Sequence, residues 1–415
     1  MKSYDPDDVL RGLAPGGRVQ PYIHGFIERL MEAGYAFLTT LEYARAAGHL
    51  GRWLDECDVE LGQLADRHLE EFGSHLCACP GSTRTGRAPS HRYVQRVRRF
   101  VDHLRRLGIV SSPPRAPEPG IPTPLVGFRE WLLQHRGLAE QTVVRYERMV
   151  SRMLPDLGDE TDDYDTALVR CVVLDSVRGC SPAYAKTFIT PLRVFLRFLA
   201  TEGRCRPYLE RAVPTIPQWT LASLPRHLDA EDVERVIDSC DLDKPHGVRD
   251  RAALLLLARL GLRAGDIVDM RLDDIDWSSG TLKVRGKGRR ETVLPLPQEP
   301  GDALLRYLVS VRPEATTDRV FLCANAPIRP LATSATVSTI VRQALRRAGI
   351  TDPPSRGAHL LRHSAAVSML RSGVSVDTIS TVLRHRSADM TAYYAKVDVA
   401  LLARIAQPWP EGTPC

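Results

Sequence analysis

Lysine is scarce in this 415-residue chain: six lysines stand against fifty arginines. Long apolar runs are scarcer still. The longest spans Ala252 to Ala258, far short of the roughly 20 residues that cross a bilayer. The opening Met1-Lys-Ser-Tyr-Asp-Pro-Asp-Asp8 lacks the apolar segment of a secretory signal. Nine cysteines, an odd number widely spread, do not form a disulfide framework in such a chain. Only Cys77-Ala-Cys79, with His75 and His68 nearby, hints at a metal. No second spaced pair follows it, so loop cysteines and no metal are expected. With 43 % apolar and 26 % charged residues, packed cores are affordable and two or three domains are expected. These absences point to a soluble protein of the cytoplasm.

The net charge is only +6. A GC-rich genome alone can produce an arginine bias, so local clustering carries more weight than the total. From Arg84 to Arg106 there are eight arginines and one acid, Asp102. From Lys283 to Arg290 there are five cations in eight residues. Arginine grips phosphate through a planar fork, and positive charge gathered on segments suits a nucleic-acid binder. Candidate backbone contacts are Arg92, Arg96 and Arg99 in the first cluster and Arg285 and Arg289 in the second. Arg145, Lys186 and Arg193 are further candidates between them. The acidic stretch Asp156 to Asp165 reads as a solvated loop.

Proline and glycine divide the chain. Expected divisions are a helical module over 1–110, a Pro-rich linker over 111–124, and a second helical module over 125–203. A weaker linker over 204–224, a third body over 225–407 and a tail over 408–415 follow. The two modules resemble each other. Gly34, Thr39 and Tyr43 match Gly137, Thr142 and Tyr146 without gaps, and Gly108 later aligns with Gly203. An insertion around Cys77 to Pro89 accounts for the shift of eight residues between the two alignments. Apolar spacing reads each copy as helix, connection, helix, with Gly108 and Gly203 as C-caps.

In the third body, 248–260 reads as an apolar helix, with a short helix through Met270 and a turn at Asp273-Asp274. Residues 281–285 and 291–296 read as two strands joined by Gly286-Lys-Gly-Arg-Arg290. Helices are expected at 299–312, 334–349, 357–371, 376–384 and 389–396. The fold class is mainly α with one small antiparallel sheet.

Five elements then occur in order: Arg263 in Gly-Leu-Arg, Lys287 in Gly-Lys-Gly, His359-Leu-Leu-Arg362-His-Ser, His385 in Leu-Arg-His, and Tyr394 in Thr-Ala-Tyr-Tyr-Ala-Lys. Over 224–399 the chain resembles the catalytic domain of the tyrosine recombinases, or phage integrases. The upstream modules resemble, more weakly, that family's helical (SAM-like) core-binding domain. The resemblance implies a site-specific DNA recombinase, the integrase or transposase of a mobile element, working through a 3′-phosphotyrosyl intermediate. It implies double-stranded DNA as partner, four protomers on two sites, action at the nucleoid, and no cofactor.

The chemistry follows from the residue types. A phosphodiester gains negative charge on attack, and two arginine forks can hold its non-bridging oxygens. Arg263 and Arg362 are the candidates. His359, one helical turn before Arg362, can relay a proton. A phenol with pKa near 10 is a weak nucleophile until its proton is taken. Tyr394 is the expected nucleophile, because the family's spacing from His385 selects it over Tyr393. The leaving alkoxide needs an acid, for which the resemblance implies Lys287, with Lys283 as the alternative. His385 would donate to a phosphate oxygen, and Asp266 would buttress the site. Three features depart from the family: Arg384 replaces a common glycine, Asp266 stands where Glu is frequent, and, the larger departure, the module over 1–110 is extra to the one core-binding domain of the simplest members. A type IB topoisomerase-like relaxing enzyme and a non-catalytic DNA-binding accessory protein are the alternatives.

Overall fold

The computed structural model describes residues 4–79, 86–111, 122–216, 225–285, 291–385 and 394. By internal contacts the chain divides into two compact units, Met1–Ser111 with Leu221–Cys415, and Ser112–Thr220. Among the described residues no helix is long and apolar enough to cross a membrane.

The N-terminal part of the first unit is built from the helices Gln20–Glu32, Phe37–Glu56, Asp66–Ser74 and His91–Arg106. The last is strongly two-faced: Tyr93, Val97, Phe100, Val101 and Leu104 are buried at helical spacing, while Arg92, Arg98 and Arg99 face solvent. Ser90 caps it by accepting from the Tyr93 amide. The second unit repeats the plan with Phe128–Arg136, Glu140–Ser151, Thr166–Val177 and Pro182–Thr201. The shared glycines have matching geometry. Gly34 and Gly137 take φ of 82° and 55°, and Gly108 and Gly203 take 73° and 69°. Each terminates a helix in the left-handed region, where a Cβ is costly. The stretch 205–213 packs into this unit rather than running free, with Cys205, Leu209 and Val213 buried.

The C-terminal part of the first unit is organised around the helix Pro245–Arg259. Ala252, Ala253 and Leu254 to Leu257 are fully buried in it, each leucine contributing about 2 kcal/mol. The helices Gln298–Arg306 and His359–Arg371 pack against it. The sheet has three antiparallel strands in the order β1 (Ile275–Asp276), β2 (Thr281–Arg285) and β3 (Glu291–Pro295). Leu282 pairs with Leu294, and Arg285 with Glu291. Alternation puts Leu282 and Val284 in the core and leaves Lys283 and Arg285 outside. β1 is too short for its period to be visible in the sequence.

The helix expected at 299–312 is α-helical over Gln298–Arg306 and continues as a wider π turn over Tyr307–Val311. Ser334–Arg347, His359–Arg371 and Val376–Leu383 stand within two residues of expectation. The expected helix at 389–396 lies outside the described residues except for Tyr394, which is helical.

Candidate active site

Gly261 sets up the site. Its φ is 60°, and a Cβ there would meet the Leu383 side chain at 2.5 Å, so only glycine lets the two segments approach. Leu262 is buried, and Arg263 becomes the N-cap of the short helix Ala264–Asp269. Asp266 reaches back and accepts from the Arg263 amide at 2.7 Å. The Arg263 guanidinium donates to the carbonyls of Arg384 at 2.9 Å and Leu383 at 3.4 Å.

Arg362 projects from the helix His359–Arg371 and is 3 % exposed. Its fork donates to the carbonyls of Gly261 and Leu383. Among the described residues no carboxylate forms an ion pair with it. Burial, and then the charges of Arg263 and Arg384, lower its pKa to about 10. It therefore stays protonated at pH 7, at a cost that an incoming phosphate would offset.

Arg384 stands where the family commonly has glycine, and the backbone shows why. Its φ and ψ are 54° and 50°, in the left-handed region. The strain is of order 1 kcal/mol. Against it stands a buried ion pair with Asp266, whose Oδ2 also serves the Arg263 amide. Asp266 thus holds both the start of one helix and the residue before His385.

Tyr394 is 3 % exposed and packs against Ala366, Val367, Leu370, Ile379 and Leu383. Its hydroxyl lies 2.7 Å from Nδ1 of His363, and the His385 ring lies nearly parallel to its own, at 6.0 Å between centroids. His363 received no role from the sequence. Four residues after His359 it shares that residue's helical face, which was the available signal. Its pKa is lowered to about 4, by burial first and then by His359, Arg362 and His227. His385 is also lowered to about 4, by burial and then by Arg362, Arg263 and His363. His359, on the first turn of its helix, is lowered as well, through desolvation and the two arginines. At neutral pH the His363 and His385 imidazoles are uncharged, so each can offer one donor and one acceptor nitrogen.

The structure thus brings Arg263, Asp266, His359, Arg362, His385 and Tyr394 together with His363 and Arg384. Lys287 and Arg289 lie outside the described residues, as do Tyr393 and the segment 398–406. Lys283, the alternative acid, sits on β2 with its ammonium 3.8 Å from Glu291.

The candidate DNA contacts differ in their surroundings. Arg92 is exposed on its helix. Arg96 pairs with Glu42 at 2.8 Å. Arg99 donates to the Tyr35 hydroxyl and lies over the Tyr35 and Tyr43 rings. Arg145 lies over Tyr146 at 5.7 Å, and Lys186 is half-buried. Arg193 donates to the Val213 and Pro214 carbonyls, which ties its own unit together. Arg285 bridges buried Asp274 and Glu291.

The cysteine loop also differs from expectation. His68 does not join Cys77 and Cys79: its Nδ1 accepts from the Ala65 amide and caps its own helix. His49, from the Phe37–Glu56 helix, takes its place, with Nε2 3.2 Å from the Cys77 sulfur. No spacing rule reaches across 28 residues to find it.

Comparison with known proteins agrees with this geometry. Residues 226–400 match the phage integrase family. The chain is 35 % identical, over 99 % of both chains, to the protein described as integrase/recombinase y4rA of Sinorhizobium fredii (strain NBRC 101917 / NGR234). It is 29 % identical to the tyrosine recombinase XerD of Listeria monocytogenes serovar 1/2a, over 65 % of this chain and 92 % of that one. Among solved structures, lambda integrase (75–356) as a dimer bound to a core site has TM-score 0.53 at 20 % identity, over 65 % of this chain and 93 % of that one. A lambda integrase tetramer bound to a Holliday junction also has TM-score 0.53, at 19 % identity, over 75 % and 90 %. These last two show the fold. The full-length match to y4rA, with the site that carries the motif, places this chain in the phage integrase family of tyrosine recombinases, enzymes that break and rejoin DNA.

Proposed function

We propose that this chain recombines double-stranded DNA at specific sites, with Tyr394 as nucleophile. The observation that carries the reading is the Tyr394 hydroxyl, held 2.7 Å from a neutral imidazole beside a buried arginine. The phenol oxygen attacks phosphorus, and its proton passes to Nδ1 of His363. The bond to the 5′ oxygen breaks, and that oxygen takes a proton from Lys287. A 3′-phosphotyrosyl link and a 5′ hydroxyl result. Arg263 and Arg362 hold the non-bridging oxygens as charge develops, which fixed guanidiniums do without reorganising. His385 donates to the same phosphate, His359 relays a proton, and Asp266 keeps Arg263 and Arg384 in place. Reversal with a different 5′ hydroxyl exchanges strands, and the adduct conserves the ester energy.

The assembly proposed is four copies on two DNA sites, at the nucleoid; the lambda integrase tetramer bound to a Holliday junction supports the tetramer. Residues 1–110 and 125–203 would follow the DNA backbone as separate modules, with Arg92, Arg145 and Lys186 among the contacts.

The test is capture of the covalent intermediate. Cells carrying the native locus are quenched in SDS, and protein-linked DNA ends are sequenced for wild type, Tyr394→Phe and Tyr393→Phe. Adducts at one recurrent sequence, absent only in Tyr394→Phe, are expected. Adducts without sequence preference would indicate a relaxing enzyme. No adduct despite DNA occupancy would indicate a binding protein.

A further inference from the structure

The first helical module contains a cluster that the recombination chemistry does not use. The ligand atoms of His49, His75, Cys77 and Cys79 all lie within 4.8 Å of one another, and three of the four residues are buried. We propose that they form a closed, tetrahedral site for a structural zinc ion.

The local structure turns the four side chains to one point. Residue 75 leaves the helix Asp66–Ser74 in extended geometry, and alternation follows. Cys77 and Cys79 are buried and His75 is half-buried, while Leu76, 72 % exposed, and Ala78 face out. His-x-Cys-x-Cys on an extended segment therefore presents three ligands on one face. The fourth comes from the middle of the Phe37–Glu56 helix.

Two nitrogen–sulfur distances come close to what the ion needs. Zinc bonds of about 2.3 Å to sulfur and 2.0–2.1 Å to nitrogen give tetrahedron edges of about 3.3–3.8 Å. Nε2 of His49 is 3.2 Å from the Cys77 sulfur, and Nε2 of His75 is 3.8 Å from the Cys79 sulfur. Both outer nitrogens are engaged elsewhere: Nδ1 of His75 at 2.6 Å from the Phe72 carbonyl, and Nδ1 of His49 at 3.2 Å from the Tyr93 hydroxyl. Donating Nδ1–H outward fixes the tautomer whose Nε2 lone pair faces the sulfurs, the usual support around a zinc histidine. Four protein ligands leave no open position, so the role is structural.

The ion would tie the loop to the Phe37–Glu56 helix and, through Tyr93, to the arginine-rich His91–Arg106 helix. The second module has no equivalent. The residue aligned with His49 is Arg152, and the cysteine loop falls in the insertion that only the first copy carries.

The full-length chain, purified without a histidine tag, is expected to hold about one zinc per chain by plasma mass spectrometry. Cys79→Ser and His49→Gln should lose it, and Tyr93→Phe should weaken binding about tenfold. Should a ligand variant fail to fold, metal-stripped wild type titrated with Co²⁺ decides the matter. Intense tetrahedral bands with a thiolate charge-transfer band support the site. Folded wild type without zinc that gives only weak octahedral Co²⁺ bands overturns the proposal. So does zinc that survives the ligand substitutions in folded protein.

Discussion

Arg18, Arg96 and Arg105 in the first helical module and Arg362 in the active site are the same residue type in opposite electrostatic roles. The three in the module meet carboxylates: Arg18 faces Asp55, Asp58 and Glu60, Arg96 faces Glu42, and Arg105 faces Asp66. These partners are solvated, so each pair is worth at most about 1 kcal/mol and its charge is largely cancelled. In the active site Arg362 donates to carbonyls, which satisfy N–H geometry without cancelling charge. On the proposed mechanism, that positive potential is available to a phosphate. A count of arginines cannot separate the two roles, but the partner's charge can.

The comparison is tested most severely at Arg362. Arg362→Lys, which keeps a charge but loses the fork, should lower the single-turnover cleavage rate by about 10³-fold or more in a suicide-substrate assay. A loss under tenfold would mean that net charge suffices. His363→Ala should cost about 10²-fold in the same assay, the low end for a proton acceptor. It should also alter the pH profile, which a purely packing role would leave unchanged.

Asp266→Ala should destabilise by about 3–5 kcal/mol in urea unfolding, because it leaves the buried Arg384 guanidinium without its carboxylate. Adding Arg384→Gly should return most of that loss, since it removes the stranded charge and the left-handed strain together. Independent, additive effects would disprove the coupling.

Acid offers a gentler probe. His363 and His385 have folded pKa values near 4 against an ordinary 6.5. Between these values the unfolded chain binds more protons than the folded one. Their contribution is therefore fully present above pH 6.5 and is lost as pH falls from there toward 4. Urea midpoints in His363→Gln should decline less over that window than in wild type. The smallest effect belongs to the module: Arg96→Ala should change stability by less than about 1 kcal/mol, and by less still in high salt.

Much of the site was legible in the sequence because its chemistry demands particular residue types in a set order. Arg263, His359, Arg362, His385 and Tyr394 could be named without coordinates, as could the helix–connection–helix repeat marked by Gly34 and Gly137. His363 stands within the His-Leu-Leu-Arg-His-Ser motif, but its contact depends on where Tyr394 arrives. Arg384 was legible only as a departure from glycine. Its ion pair with Asp266 spans 118 residues, a distance at which sequence spacing carries no geometric information. His68 lies nearer to Cys77 in the sequence than His49 does, yet its own helix end claims it.

The sequence by itself determined most helices and the β2–β3 hairpin strands of the described catalytic core, the helix–connection–helix repeat and the candidate reacting groups, because these rest on local propensity, helical period and residue chemistry. Only the tertiary structure decided which arginines are neutralised, which histidine receives the tyrosine, and that His49 completes a four-ligand cluster. Each of those outcomes depends on long-range packing, which puts side chains tens of residues apart within hydrogen-bond reach and sets the burial that shifts their charge.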